Sequence, residues 1–429
     1  MTAPRSPETQ GTPHFHAIGI GAGPANLSLA ALFEAMAPNE IALFEQQAKP
    51  GWHHQLLFAD VRMQTSWLKD LVSLVDPSHH LSFLSYLVTT GRAHAFLNAQ
   101  YDSMPRLEYV AYLNWASSTL RNVYYDTPID RVSFDNGFVV WSGDRPVGHA
   151  EHLVLGIGSM PYLPPGFRSL DRNMMSAPEQ LAGWLESAAP AKDQPVAVVG
   201  SGQTGAECVM ELLGRGFTRI RWIGRRAWFA PLDDSPTANE FYRPAYTEHF
   251  QQLPMEVKRD LTVRQVLTSD GISAGTLRAI YQANYDAMLR TGDFPIQLYP
   301  GRDVVRGTAS GPGMVRLDCL THGRHEKHEV AHVVAATGRR PSPLPLDDDL
   351  MELMELDGDG ELLVEDDFSV RWKSSNGFRI YAQNRARYAQ GLPDANLSLL
   401  PMRSAMIINS MFQRDVFVSR DDLRATIWE

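Results

Sequence analysis

Cysteine is almost absent from this chain. Among 429 residues only Cys208 and Cys319 occur, too far apart for the C-x-x-C of a dithiol enzyme and too few for a disulfide framework. No apolar run approaches the ~18 residues of a membrane span. Met1 to Pro13 is polar and proline-bearing, without a signal-peptide core. A cytoplasmic protein with a flexible tail over residues 1–13 is expected. Positive charge is also short: a net charge of -10 argues against nucleic acid or an anionic membrane as partner. There is no Ser-His-Asp or Cys-His order. His53-His54 and His79-His80 are adjacent pairs whose side chains diverge, and Asp357-Gly358-Asp359-Gly360 lacks the calcium loop's last ligand, with Phe368 in its place. No metal is expected.

What is present is a nucleotide-binding pattern written twice. Phe15 to Ile20 is an apolar run entering Gly21-Ala22-Gly23-Pro24-Ala25-Asn26; Leu27 to Met36 has helical character, and Ile41 to Phe44 runs out at Glu45. Val196 to Val199, Gly200-Ser201-Gly202-Gln203-Thr204-Gly205, Ala206 to Leu213 and Ile220 to Ile223 repeat that order, but this unit closes on Arg225 and Arg226. Paired glycines let a backbone turn tightly against a pyrophosphate seated on the next helix's N-terminus. A closing glutamate accepts from ribose hydroxyls, whereas arginines suit the 2'-phosphate of NADP. Asn26 departs from the pattern by replacing the third glycine. Gly21, Gly23, Pro24, Asn26 and Glu45 are therefore expected to hold one dinucleotide. Gly200, Gly202, Gln203, Thr204, Gly205, Arg225 and Arg226 are expected to hold NADPH. Hydride from NADPH needs a resident acceptor, most simply FAD.

Single cores stop growing beyond roughly 250 to 300 residues, so two domains are expected. Glu151 to Pro161 is echoed by Glu329 to Pro341, each a buried strand, a glycine turn and a proline. The expected fold class is α/β, with two Rossmann-like dinucleotide domains. An FAD domain over 14–187 and 331–429 contains the substrate pocket in its second part. An NADPH domain over 188–330 is inserted after the linker Ser187 to Pro195. A helical cap at about 240–290 hangs off the inserted domain.

Between the loops stand Gly51-Trp52-His53-His54, Met63-Gln64-Thr65-Ser66-Trp67-Leu68-Lys69-Asp70-Leu71-Val72, and Asp76-Pro77 with Leu81 to Leu87. Further on come Pro105-Arg106-Leu107-Glu108-Tyr109, Leu232 to Pro236 with Asn239-Glu240, Asn284-Tyr285, Ala336-Thr337-Gly338, and Leu397-Ser398-Leu399-Leu400 with Arg403. Over nearly its whole length the chain resembles the flavin-dependent N-hydroxylating monooxygenases of hydroxamate siderophore biosynthesis, closest in texture to their lysine and diamine branch. The resemblance implies FAD and NADPH as cofactors, O2 activation through a C4a-hydroperoxyflavin, and a homo-oligomer. It assigns Lys69 to a substrate carboxylate, Asn239 to the substrate, Ser398 to the flavin and substrate pocket, and Asn284 and Gln64 to the catalytic neighbourhood of the flavin. Trp52, His53, Thr337 and Gly338 fall among the cofactor contacts. It leaves the amine open, with cadaverine or putrescine placed just ahead of lysine. Arg339 stands where the family has tyrosine. An electron-transfer flavoprotein is the rival reading, and it would require a basic docking patch.

Overall fold

The computed structural model describes residues 11–58, 60–373, 376–418, 420–421 and 423–428; most of the expected tail lies outside them. Two sheets are each seeded by a strand, a glycine loop and a helix. In the first, His14–Ile20 lies between Ile41–Phe44 and Arg145–Leu155, parallel to both. Arg379–Ala382 joins in parallel beyond, and Phe138–Ser142 and Arg131–Phe134 extend the sheet antiparallel. The helix Pro24–Met36 buries Leu27, Leu29, Leu32 and Phe33. It packs on the helix Leu400–Phe412, whose Ile407 and Ile408 are wholly buried in the same core.

The second sheet runs in the order Ile296–Pro300, Ile220–Gly224, Val196–Val199, His332–Ala335, Met175–Ser176, all parallel. Its middle strand Val196–Val199 is an unbroken apolar run buried on both faces, as a parallel sheet covered by helices demands. This corrects the expected domain limits. Met175–Ser176 and His332–Ala335 belong to the second sheet, and Leu181 and Leu185 fill its core, so Ser187 to Pro195 is a turn inside the inserted lobe and not its boundary. The lobes meet at a short antiparallel pair, Ser159–Pro161 against Arg339–Pro341. The two echoing segments are thus each other's partners. Arg339 answers its own departure here: its guanidinium donates to Ser159 Oγ at 2.9 Å and to Glu179, riveting the crossover to the inserted lobe.

The cap also differs from expectation. It begins at Pro236, and Pro244–Gln251 and Met255–Arg264 dock on the first lobe. There Gln251 donates to Gln390 at 3.0 Å, and Arg259 pairs with Asp359 at 3.2 Å and lies over the Tyr388 ring. Only Ala274–Thr291 packs on the inserted lobe's first helix, Gln203–Gly214.

Burial leaves two histidines poor bases. His332, 1% exposed and stacked on Trp184, and His152, beside His16, are both pushed down to about 4 by desolvation. The unfolded chain protonates such rings near ~6.5, so it binds more protons than the fold between those pH values. Their contribution is complete above that pH and is lost as pH falls toward 4. At about 1.36 kcal/mol per pH unit, each ring puts roughly 3 kcal/mol at stake. The drop in unfolding free energy between pH 7.5 and 5, measured by urea titration, should be smaller in H332Q than in the parent; an equal drop would refute this assignment.

Candidate active site

The first loop is shaped by contacts that leave no room for side chains. Gly21 has φ 91°, and a Cβ there would lie 2.5 Å from the Gly156 carbonyl oxygen. Gly23, the N-cap of Pro24–Met36, faces open space, with no heavy atom within 4 Å of where a Cβ would stand. Glu45, at the end of the second strand, accepts from Ala22 N and Gln47 N, both at 2.9 Å. Asn26 stands behind the loop. It is 1% exposed, donates to the carbonyls of Ile20 at 3.1 Å and Gly21 at 2.8 Å, and accepts from Gln383 at 2.6 Å. At the position of the third glycine its amide braces the loop that would hold the dinucleotide. Gly156 must be glycine because a Cβ would meet that amide at 2.3 Å.

The second loop repeats the design. Gly200 has φ 142°, with a would-be Cβ 1.9 Å from the Ala336 carbonyl oxygen; Gly205 seats the helix against Gly200 O, and Gly202 again faces open space. Thr204 lies in the first turn of the following helix. Gln203 is spent inside the protein: Nε2 donates to Glu207 at 3.0 Å and Oε1 accepts from Ser273 N at 2.9 Å. It steadies the loop against the helix Ala274–Thr291. Arg225 is exposed, and Arg226 donates to Asp270 O at 3.0 Å; both follow the strand Ile220–Gly224, opposite in charge to Glu45.

Within the first lobe the structure joins Lys69 to Ser398, Nζ to Oγ at 3.3 Å. Ser398 is 2% exposed, and its N–H is held by Asn396 Oδ1 at 2.8 Å. Arg403 fastens the turn from below through Asn384 Oδ1 at 2.8 Å and the carbonyls of Asp394 and Asn396. Burial holds the Lys69 ammonium below its ordinary range, and among the described residues no carboxylate pairs with it. Gln64 crosses to the inserted lobe, donating to Ser273 Oγ at 3.0 Å and Gly271 O at 3.4 Å. Asn239 is exposed and spends its amide N–H on Asp234 O at 3.0 Å and Ser235 O at 3.2 Å. Its segment is tied to the Gln64 neighbourhood where Leu232 N donates to Ile272 O at 2.7 Å.

Asn284 does not join this group. Three turns into Ala274–Thr291, it donates to Ile296 O at 3.0 Å and accepts from Ile296 N at 2.9 Å. Both ends of its amide pin the helix to the sheet edge, and the segment facing Gln64 is Gly271 to Ser273. Trp52 meets the Tyr109 ring edge-on at 5.6 Å, and His53 has a left-handed φ of 47°. Thr337 donates to Tyr162 O, and Gly338, with φ 95°, turns the chain at the crossover between lobes.

Sequence reading gave no role to a pair that links the loops. Arg106, from the first lobe, grips Glu207 of the inserted lobe with both ends of its guanidinium, at 2.8 and 3.0 Å, and also donates to Leu56 O. Glu207 accepts from Gln203 as well, so the second glycine loop is braced from across the interface. Two positions 101 residues apart carry no local spacing signal; only the quoted string around Arg106 pointed there.

Comparison with known proteins bears on this arrangement. The family description L-lysine 6-monooxygenase/L-ornithine 5-monooxygenase matches residues 13–341. The chain is 33% identical over 410 residues to L-lysine N6-monooxygenase of Escherichia coli, covering 93% of this chain and 95% of that one. It is 26% identical over 408 residues to putrescine N-hydroxylase of Shewanella oneidensis, covering 92% and 80%. Among solved structures it is similar to Kutzneria sp. 744 ornithine N-hydroxylase, determined with FADred, NADP+ and L-orn. That match has a TM-score of 0.86 and 27% identity, covering 94% of this chain and 99% of that one.

Proposed function

The chain belongs to the L-lysine 6-monooxygenase/L-ornithine 5-monooxygenase family, and from that premise we propose that it N-hydroxylates the terminal amine of L-lysine, using FAD, NADPH and O2, early in the making of a hydroxamate siderophore. Assembly as a homo-oligomer in the cytoplasm belongs to the same reading. The two open glycines, Gly23 and Gly202, each at a helix N-terminus without a side-chain cap, fit a pyrophosphate apiece. Glu45 would take the FAD ribose, and Arg225 with Arg226 the phosphate that marks NADPH. When bound, the cofactors supply a hydride and a reduced ring able to activate oxygen.

The chain's own residues then have three tasks. The first is to hold the substrate, and here Lys69 carries the reading. An ammonium that is partly desolvated and, among the described residues, meets a serine hydroxyl and no carboxylate is suited to an incoming carboxylate, and a diamine would offer it none. This favours lysine over cadaverine and putrescine, as does the higher identity to the lysine enzyme. The second task is to leave the reacting nitrogen neutral. Its ordinary pKa is roughly 10.4, and a carboxylate beside it would hold the proton on. Gln64, Asn239 and Ser398 are neutral polar groups and do not. The third task is exclusion of water, which falls to the cap over the Lys69 and Ser398 floor.

The test is a hydroxylamine assay with L-lysine, ornithine, cadaverine and putrescine in parallel. L-lysine should give the highest kcat/KM. K69A should raise KM for lysine by about 10- to 100-fold, the worth of one charge-assisted hydrogen bond, and change the diamines little. Equal losses on lysine and cadaverine would count against the carboxylate role.

A further inference from the structure

Past the helix Leu400–Phe412 the chain leaves the core and crosses to the cap. Its departure is fixed by Asn409, whose Oδ1 accepts from Val416 N and Phe417 N, both at 2.9 Å, and whose Nδ2 donates to Phe417 O at 2.8 Å. Its arrival is fixed by Asp421 and Trp428. Asp421 takes Arg243 at 2.5 and 3.2 Å and accepts from Ala245 N at 3.2 Å, in the first turn of Pro244–Gln251. A carboxylate there also meets the positive end of the helix dipole. Arg243 donates further to Leu423 O at 2.7 Å. The Trp428 ring lies 4.8 Å from Tyr246, 5.8 Å from Phe241 and 6.0 Å from His249. Elsewhere along the described residues of the segment the side chains are open to solvent: Val418, Leu423 and Ile427 are 71%, 92% and 70% exposed.

The two anchors sit on elements next in the chain to residues proposed above to meet the amine. One is the helix that continues directly from Ser398, and the other is the helix that starts five residues after Asn239. We propose that residues 413–418, 420–421 and 423–428 form a strap which holds the cap down against the Lys69 and Ser398 side of the first lobe, setting amine affinity and chain-length choice. This rests on the amine-hydroxylating reading above. Asp421 and Trp428 act through the cap and are positioning residues. Neither anchor touches a nucleotide loop, so the strap acts on the cap alongside its docking contacts Gln251 to Gln390 and Arg259 to Asp359.

The experiment compares the full-length parent with D421N/W428A and with D421E, all loaded with FAD. In D421N/W428A amide hydrogen exchange over residues 236–251 should speed up at least 10-fold, and KM for L-lysine should rise about 5- to 20-fold. The preference for lysine over ornithine should narrow, with the rate of flavin reduction by NADPH unchanged. D421E, which keeps the charge, should restore KM to within about 2-fold of the parent. Unchanged exchange in 236–251 overturns the strap, and so does faster exchange with unchanged KM. If the parent hydroxylates no amine at all, the functional reading fails instead, and the exchange comparison still decides whether the strap restrains the cap.

Discussion

Alanine at both Arg225 and Arg226 is expected to raise KM for NADPH about 100-fold while leaving KM for NADH within about 3-fold. Hydrogen bonds to a charged group contribute roughly 1.5 to 3 kcal/mol each. Two guanidinium groups on one 2'-phosphate could exceed that factor, but Arg225 is exposed, and solvent and salt screen it. NADH has no 2'-phosphate to lose. Steady-state oxidation of both nucleotides at 50 and 300 mM salt measures the effect: the NADPH advantage should shrink with salt in the parent and be nearly flat in the variant. An intact preference for NADPH would place the phosphate elsewhere and remove the functional meaning of the charge difference between the two loops.

Loss of Arg106 should be the most damaging single change outside the glycines. R106M leaves Glu207, 5% exposed, without its bidentate partner, and stranding one buried charge typically costs about 3 to 5 kcal/mol. The prediction separates this pair from a generic contact through its non-additivity. R106M/E207L, which removes both charges, should recover most of the thermal stability lost by R106M. It should not recover the KM for NADPH, because Gln203 then loses Glu207 as an acceptor and the loop it braces is free to move. Calorimetry and NADPH kinetics on the three proteins decide it. Additive losses in melting temperature would show that the two side chains do not compensate each other.

The reach of the sequence can be judged from particular residues. Both glycine loops, the closing Glu45 and the closing arginines are where periodicity and spacing put them, because strand, turn and helix are local and each leaves a local mark. The domain limits are not legible in the same way. His332–Ala335 reads like any buried strand, and which sheet it enters depends on a register with Val196–Val199 set more than a hundred residues away. Asn26 and Asn284 show a second blind spot. Both occupy positions that look functional, and both are consumed by backbone groups: the carbonyls of Ile20 and Gly21 for one, the two peptide groups of Ile296 for the other. An asparagine that binds a ligand and one that closes a frame are the same letter. The contact of Lys69 with Ser398, 329 residues apart, leaves no mark in the sequence beyond the separate substrate-site roles that the family resemblance implies, and that of Arg106 with Glu207 leaves none.

The seam made by Ser159–Pro161 and Arg339–Pro341 has an evolutionary corollary. The polypeptide enters the inserted lobe and exits it through adjoining rungs, so its two covalent connections lie side by side, much as a cassette has one slot. Exchange of everything between those rungs for the equivalent stretch of a relative would require only two splice points a few ångströms apart. Nucleotide preference could thus be transplanted in one piece, provided the incoming stretch keeps a partner for Arg106.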